Sequence, residues 1–503
     1  MTAGATGRVT ADGTGTIAPG SQEPWRDGKR YLWLIGLVVP SLGLIAMTVH
    51  GLTGFERVLW IGPVVIFVLV PLIDLVAGRD PTNPPDDVVE ALERDRYYRW
   101  ITYAFLPVQY AAFVWAMWYV THVDGLSLLG KIGLAATIGC IGGIGINTAH
   151  ELGHKKESHE RWLSKLVLAQ SAYGHFYIEH NRGHHVRVAT PLDPASSRLG
   201  ENVYQFWPRT VFGSVRNAWR LERKRFARHH RHPWRIGNDV LNAWLMTAVL
   251  WGGLVAWLGV GVLPYLVLQA VIGFSLLEIV NYLEHYGMLR QQVGPEDARR
   301  YERCAPSHSW NSNNIATNVL LYHLQRHSDH HANPTRRYQT LRDFEQSPVL
   351  PTGYAGMIVL ALVPPLWRRV MDPRVLAHAD GDITLVNIAP RKRDRIVARY
   401  TLPAVGVAHR PALDTAVSLE ALRIDPADVV GGECPGCEYI YDEAVSDARE
   451  GFPAGTAWAS VPDTWCCPDC GVREKVDFRP LTRTGRQATL AAAARVQDAT
   501  MPR

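Results

Sequence analysis

Six apolar runs punctuate the first 285 residues, at roughly 31–49, 58–78, 101–121, 128–149, 240–260 and 262–283. Each is near the 20 or so residues a helix needs to cross a bilayer core. Helices buried in a soluble protein rarely run so long without charge. Pro40 and Pro63 fall inside two of the runs, where membrane helices tolerate proline better than soluble ones. Between the fourth and fifth runs lies a polar segment, 150–239, that carries Lys155, Lys156, Arg161, Lys165, Arg182, Arg187 and a further basic cluster around Arg220–Arg228. The connectors near 50–57 and 122–127 carry almost no such charge. The positive-inside rule puts the long basic segment in the cytoplasm, and six spans then put both termini there too.

The rest of the chain divides by composition. Residues 1–28 are Gly/Thr-rich and predict a disordered tail. A polar region, 286–345, follows the last run, and a short Pro-broken apolar patch at 352–367 reads as an interfacial segment. Residues 371–430 mix charge, Pro and short β-prone pieces and read mainly as a linker. A small domain over 431–480 and a C-terminal tail, 481–503, complete the chain. The expected architecture is therefore an all-α integral membrane domain over 29–370, with six transmembrane helices and a cytoplasmic histidine-rich site, followed by a compact four-cysteine domain.

The net charge of +5 adds little, because it is concentrated in the one basic segment. A nucleic-acid surface is one reading of that segment, but the flanking apolar runs favour a cytoplasmic loop, with no nucleic acid as partner. The seven cysteines are more informative. Four fall into two C-x-x-C pairs, and an odd, clustered set points to metal ligation in a reducing compartment rather than to disulfides.

Nine of the twenty histidines sit in four motifs. His150 and His154 lie in HELGHK; His180, His184 and His185 in EHNRGHH; His285 in NYLEHYG; and His327, His330 and His331 in LQRHSDHHA. Positions i, i+3 and i+4 share a helix face, so each multi-histidine motif can aim at least two imidazoles at one point. The topology puts all four motifs on one side of the membrane. Nine imidazoles exceed the needs of one metal but suit two; ligand type leaves Fe, Zn, Cu and Ni open. His229, His230, His232, His308 and His323 read as solvated or supporting residues.

Carboxylates near these motifs are Glu151, Glu179, Glu278, Glu284 and Asp329, candidates to accept the second N–H of a metal-bound imidazole. Glu278 precedes His285 by two helical turns inside an apolar run, where a carboxylate is costly and a functional role is the default. HELGH also satisfies the zinc-protease pattern H-E-x-x-H, with Glu151 as general base. That reading leaves the other three motifs unexplained.

Near the C-terminus, Cys434/Cys437 and Cys467/Cys470 form two knuckles able to hold one metal through four thiolates. A zinc ribbon usually separates its knuckles by about 15–20 residues; here 29 intervene. Tyr439, Tyr441, Trp458, Trp465 and Phe478 accompany the pair, and the stretch 431–480 resembles rubredoxin, whose cysteine-ligated iron carries one electron. Glu438 departs from the glycine common after the first knuckle, and Cys466 has the wrong spacing to be a ligand.

The four histidine motifs, in this order and after these runs, are similar to the signature of the membrane alkane 1-monooxygenases, over about 30–345. With the rubredoxin-like tail, the chain resembles natural hydroxylase–rubredoxin fusions. The resemblance implies a non-haem di-iron centre ligated by the nine histidines, O2 as co-substrate, and conversion of a linear alkane drawn from the membrane lipid into its primary alcohol. An inert alkane offers nothing to acid–base or nucleophilic groups, so a metal centre must supply the chemistry. Each turnover needs two electrons, and a tethered one-iron carrier delivers them at high effective concentration. No G-x-G-x-x-G context is present, so a separate NAD(P)H-dependent flavin reductase is the expected source. Fatty-acyl desaturases and hydroxylases, which share histidine boxes on a similar scaffold, are the nearest alternative.

Overall fold

The computed structural model describes residues 25–400 and 416–485. The expected tails at 1–28 and 481–503 lie largely outside the described residues, as does part of the expected linker. Residues 25–28 are tied down: the Asp27 carboxylate accepts a hydrogen bond from Tyr98 Oη at 2.6 Å.

Each apolar run becomes a long helix: α1 (Leu32–Thr53), α2 (Glu56–Ala77), α3 (Arg96–His122), α4 (Leu128–Gly153), α7 (Asp239–Leu258) and α8 (Val260–Glu284). Between α4 and α7 come α5 (Ser158–Gln170) and α6 (Val203–Arg228). Among the described residues, five helices rather than six are long and apolar enough to cross a membrane. The exception is α3, whose 27 residues include Arg96, Arg99 and Gln109. Local signals set the ends. Ser127 caps α4 through Gly130 N–H, and Asn238 caps α7 through the N–H groups of Val240 and Leu241.

Helix α4 is the centre of the domain, buried on nearly every side. Its glycines permit that: a Cβ on Gly139 would lie 2.7 Å from Ile272 Cβ, and one on Gly143 would lie 3.0 Å from Gly273 O. Small residues thus let α4 and α8 approach closely, as in membrane helix pairs generally, where tight packing substitutes for a hydrophobic driving force. A buried polar knot adds to the packing, with Gln109 Nε2 donating to Gln170 Oε1 at 2.7 Å and Gln269 Nε2 to Gln170 O at 2.8 Å. The α4–α8 pair carries His150 and His285 at the same end of the bundle.

Within the segment after α8, the patch at 352–367 has an exposed apolar side, Val359, Leu362, Val363 and Leu366, beside its buried one, while residues 371–400 depart from the composition-based reading. The patch at 352–367 folds as α10 (Tyr354–Ala361), with Tyr354, Met357, Ile358 and Ala361 buried in the core, and then continues into α11 (Pro364–His378). Residues 371–400, expected as linker, also fold onto the domain. Met371, Val375, Ile383 and Ile388 join the same core cluster, and α12 (Arg393–Tyr400) adds Ile396. Their apolar positions are too sparse and too Pro-interrupted to announce a helix, yet enough of them find one groove. Residues 416–430 belong instead to the small domain, where Leu419, Ile424 and Val429 pack on its core and Val417 N–H bonds Val476 O at 2.8 Å.

That small domain is a three-stranded antiparallel sheet in the order β4–β3–β5. Its strands are β3 (Val429–Glu433), β4 (Ile440–Asp442) and β5 (Arg479–Thr482); β1 (Gln292–Val293) and β2 (Arg300–Tyr301) form a separate hairpin after α8. Tyr441, Trp458, Trp465 and Phe478 fill the core around the four cysteines.

Candidate metal centre

All nine motif histidines are buried, and the fold divides them into two adjacent groups. His150, His154, His180, His185 and His330 form one; His184, His285, His327 and His331 form the other. Within the first, Nε2 atoms converge: His150 to His330 at 2.8 Å, His180 to His185 at 3.0 Å and His185 to His330 at 3.1 Å. In the second, His327 and His331 approach to 2.8 Å. The groups touch, with the His185 and His331 rings 4.4 Å apart between centroids.

Local helix geometry makes this division. His180–His184 is a π-helical turn closed by His185 N–H on His180 O. Bonding i to i+5 brings His180 and His185 together and turns His184 toward the other group, where an α-helix would have paired His180 with His184. Helix α9 (His327–Ala332) does the converse. His327 and His331, at i and i+4, share the second group, and His330 points to the first. Ser328 anchors α9 by hydrogen bonds with the Asn311 amide at 2.7 and 2.9 Å.

The donors fit two metal ions. Imidazoles bound cis to one ion at about 2.1 Å have nitrogens about 3 Å apart, the spacing seen here. Nε2 of His154, His184 and His285 is buried without a hydrogen-bond partner. Buried ring nitrogens that face one another in this way are arranged as the ligands of a cation are. Burial holds His154, His180, His185, His327, His330 and His331 well below the usual imidazole range, which keeps their lone pairs free for a metal. These clusters suit a di-iron site.

The expected carboxylates separate into distinct roles. Glu284 reaches the second group, with Oε2 3.2 Å from His327 Nε2 and Oε1 unpartnered. Glu278 is occupied elsewhere, accepting from Tyr173 Oη at 2.6 Å, Thr210 Oγ1 at 2.7 Å and Asn281 Nδ2 at 3.1 Å, and so ties α8 to α6. Glu151 pairs with Lys155 at 2.9 Å and accepts Tyr338 N–H at 3.2 Å, both through Oε1. Glu179 bonds the Asn217 amide and lies 3.5 Å from Arg187; Asp329 accepts from Asn333 at 2.7 Å and Arg342 N–H at 2.9 Å.

Sequence reasoning missed Asp193. Its carboxylate takes the Nδ1–H of His184 at 2.8 Å and Ser196 Oγ–H at 2.6 Å, fixing the tautomer that leaves Nε2 free. Burial opposes its ionisation, but His184 and Ser196 hold the carboxyl down to about 2. The only signal was an acid nine residues beyond His184, in TPLDPAS. His308 and His323 are buried, the latter against Trp33 and bonded to Tyr338 O at 2.9 Å, whereas His230 and His232 are exposed.

An apolar cavity of about 70 Å3 lies between α1, α2, α4 and α8. Its lining includes Asn147 and Val280, about one helical turn before His150 and Glu284, and Leu324, three residues before His327, together with Val39 and Val65.

In the small domain Cys434, Cys437, Cys467 and Cys470 meet, with Sγ atoms 3.7 Å apart for Cys434–Cys470 and 3.4 Å for Cys437–Cys467. Four thiolates at about 2.3 Å from a tetrahedral metal would be about 3.8 Å apart, so the set fits one ion with little adjustment. Cys466 stays outside, its Sγ 3.8 Å from Thr464 O. Glu438 has φ +63, the left-handed region that explains why glycine is usual there. Glu438→Gly should stabilise the domain by about 1 kcal/mol, read as a higher denaturant midpoint for loss of its iron absorbance.

The knuckles face the histidine site. Lys156 Nζ donates to Cys437 O at 2.5 Å, and Arg473 Nη2 to Ala332 O at 3.4 Å, beside His331. Gly471, φ +68, abuts the backbone of Asn181 so closely that a Cβ would collide with its carbonyl. Cys470 and His180 are thus separated by one non-bonded step, from Gly471 to Asn181. Glu450, bridging Arg182 at 2.5 Å and Arg228 at 2.8 Å, and Arg449, 2.7 Å from Asp239, fasten the domain in place.

Comparisons with known proteins agree with this geometry. A fatty acid desaturase family model matches residues 126–361, and a rubredoxin model matches 432–478. The chain is 45% identical over 379 residues to an alkane 1-monooxygenase of Acinetobacter baylyi, covering 75% of this chain and 92% of the relative. It is 44% identical over 398 residues to alkane 1-monooxygenase 1 of Alcanivorax borkumensis, covering 79% and 96%. Its C-terminal part is 69% identical over 51 residues to rubredoxin 3 of Rhodococcus erythropolis, covering 10% and 84%. With two converging histidine groups at one end of the helical bundle and four clustered thiols docked against them, the chain belongs to the alkane 1-monooxygenase family and carries a rubredoxin domain in the same polypeptide.

Proposed function

We propose that the chain hydroxylates the terminal carbon of medium- or long-chain alkanes to primary alcohols, with O2 as oxidant and its own rubredoxin domain as electron donor. The observation that carries this reading is the nearness of three parts: an apolar cavity lined by residues one helical turn from His150 and Glu284, two converging histidine groups, and a four-thiol site docked against the segments that carry them. Held by His150, His154, His180, His185 and His330 on one side and His184, His285, His327 and His331 on the other, two iron ions would supply O2 activation. The protein's own residues do the rest. Asp193 keeps His184 in its ligating tautomer, the cavity walls hold a chain end-on, and burial keeps bulk water from the centre. Rubredoxin iron held by Cys434, Cys437, Cys467 and Cys470 would pass electrons one at a time, refilled by a separate NAD(P)H-dependent flavin reductase.

The membrane placement belongs to the same reading: an inner-membrane protein with six spans, α3 being the least apolar, and with the histidine motifs and both termini in the cytoplasm. The basic stretch 150–239, set against sparsely charged opposite connectors, supports that orientation.

Product analysis tests it. Membrane-reconstituted protein would receive NADH, a rubredoxin reductase, O2 and a mixed panel of alkanes and fatty-acyl substrates. Primary alcohols from alkanes are expected; only desaturated or hydroxylated acyl products would overturn the substrate. In the same assay Val65→Trp, which adds bulk at a position lining the cavity, should shift products toward shorter alkanes and leave turnover of the shortest within about two-fold.

A further inference from the structure

A second cavity, of about 930 Å3, lies away from the histidine groups, between α3, α5 and α7. Its walls divide by chemistry. Leu245, Met246 and Val249 line it along one face of α7, opposite Leu166 and Ala169 of α5. Leu245, Val249 and Leu166 are exposed, so this apolar wall has no protein partner among the described residues. At the other end, level with the first turn of α7, stand Arg161, Lys165, Arg225 and, from the rubredoxin domain, Arg449.

Positive charge is in excess there. Asp239 is the one lining carboxylate, and it is shared between Lys165 at 2.7 Å and Arg449 at 2.7 Å, with Arg225 at 3.9 Å. Arg225 has its own partner, Glu222, at 2.6 Å. Arg161 forms no ion pair among the described residues and donates only to Lys156 O, at 2.9 Å. Four cations therefore face Asp239 and Glu222, with Asp469 also within electrostatic reach of Arg161, and positive charge stays in excess. Trp162 lies beside them, half exposed, with Lys165 Nζ 4.4 Å above its ring, a pairing suited to a membrane–water border.

A cationic rim at the end of a span, continued by an apolar groove along it, matches the polarity of one phospholipid molecule. An alkane would leave the cations unused, and a free phosphate would leave the groove unfilled. We propose that an anionic phospholipid binds here, its phosphate among Arg161, Lys165 and Arg449 and an acyl chain along α7. Arg449 adjoins Glu450, which fastens the rubredoxin domain to Arg182 and Arg228. The lipid phosphate therefore bridges the two domains, and electron delivery depends on anionic lipid. This inference rests on the membrane placement proposed above.

The test uses the full chain in lipid nanodiscs of phosphatidylcholine alone or with about one-third phosphatidylglycerol. Native mass spectrometry after partial delipidation should find phosphatidylglycerol retained in preference to phosphatidylcholine. The double variant Arg161→Gln/Arg449→Gln should lose that preference by at least about five-fold, the worth of one basic residue near an anionic surface. NADH-driven turnover of the wild type should rise several-fold with phosphatidylglycerol, and that of the variant should not. Iron content and rubredoxin absorbance, unchanged in the variant, would show that it folds. Equal retention of the two lipids by the wild type, or undiminished preference in the variant, would overturn the site. A chain that fails to enter nanodiscs would overturn the membrane placement, and this site with it.

Discussion

Replacing His180 or His184 by Ala should lower the iron content of the purified chain from three ions toward two or fewer, and alkane turnover by more than about 100-fold. The magnitude follows from the geometry. Loss of even a residue that merely orients a metal ligand typically costs 10–100-fold in affinity or activity, and these imidazoles are themselves inside the converging groups. The two variants probe different groups, because the π-helical turn sends His180 to one and His184 to the other. The rubredoxin iron is an internal standard: its visible absorbance should persist in both. Metal analysis beside that absorbance checks the outcome. Three ions and full activity in both variants would refute the site. Asp193→Asn, which keeps the shape but weakens the hold on His184, should fall between them and the wild type.

Cys467→Ser should bring NADH-driven turnover below detection, since it removes one of the four thiolates and with it the carrier between reductase and hydroxylase. The same variant separates the carrier's role from the hydroxylase's. Relatives that match about three-quarters of this chain cover nearly all of their own length, so the hydroxylase part exists without a fused tail. A chain ending at Tyr400, supplied with separate rubredoxin, should therefore recover turnover, because every histidine and carboxylate of the site lies before that point. The intact Cys467→Ser chain should recover less, since its inactive domain competes for the same dock through Glu450 and Arg449. Comparing the two with a titration of free rubredoxin measures the effective concentration that fusion provides. Unimpaired NADH-driven turnover in Cys467→Ser would refute the electron-carrier role.

Much of the site was legible in the chain because its signals are local. Imidazoles four residues apart, two C-x-x-C knuckles and apolar runs of bilayer length are patterns of spacing, readable before any contact is known. Boundaries were less legible. The helices after residue 364 pack with apolar residues too scattered to show a period, so their place in the core came from long-range contact.

What the sequence determined by itself was the inventory: nine imidazoles, four thiols, the apolar lengths, and the resemblance those motifs carry. Tertiary structure decided how the inventory is shared out. The division into five and four histidines depends on a π-helical turn and on the angle at which α9 meets the groups, neither of which residue spacing encodes. Glu278 and Glu284 look alike in sequence, six residues apart on one helix. Only packing assigns the first to Tyr173 and Thr210 and the second to His327. Asp193 gained its role, and Gly471 its contact with Asn181, because a side chain's partner is set by what the fold brings within about 3 Å, across distances that the order of residues leaves open.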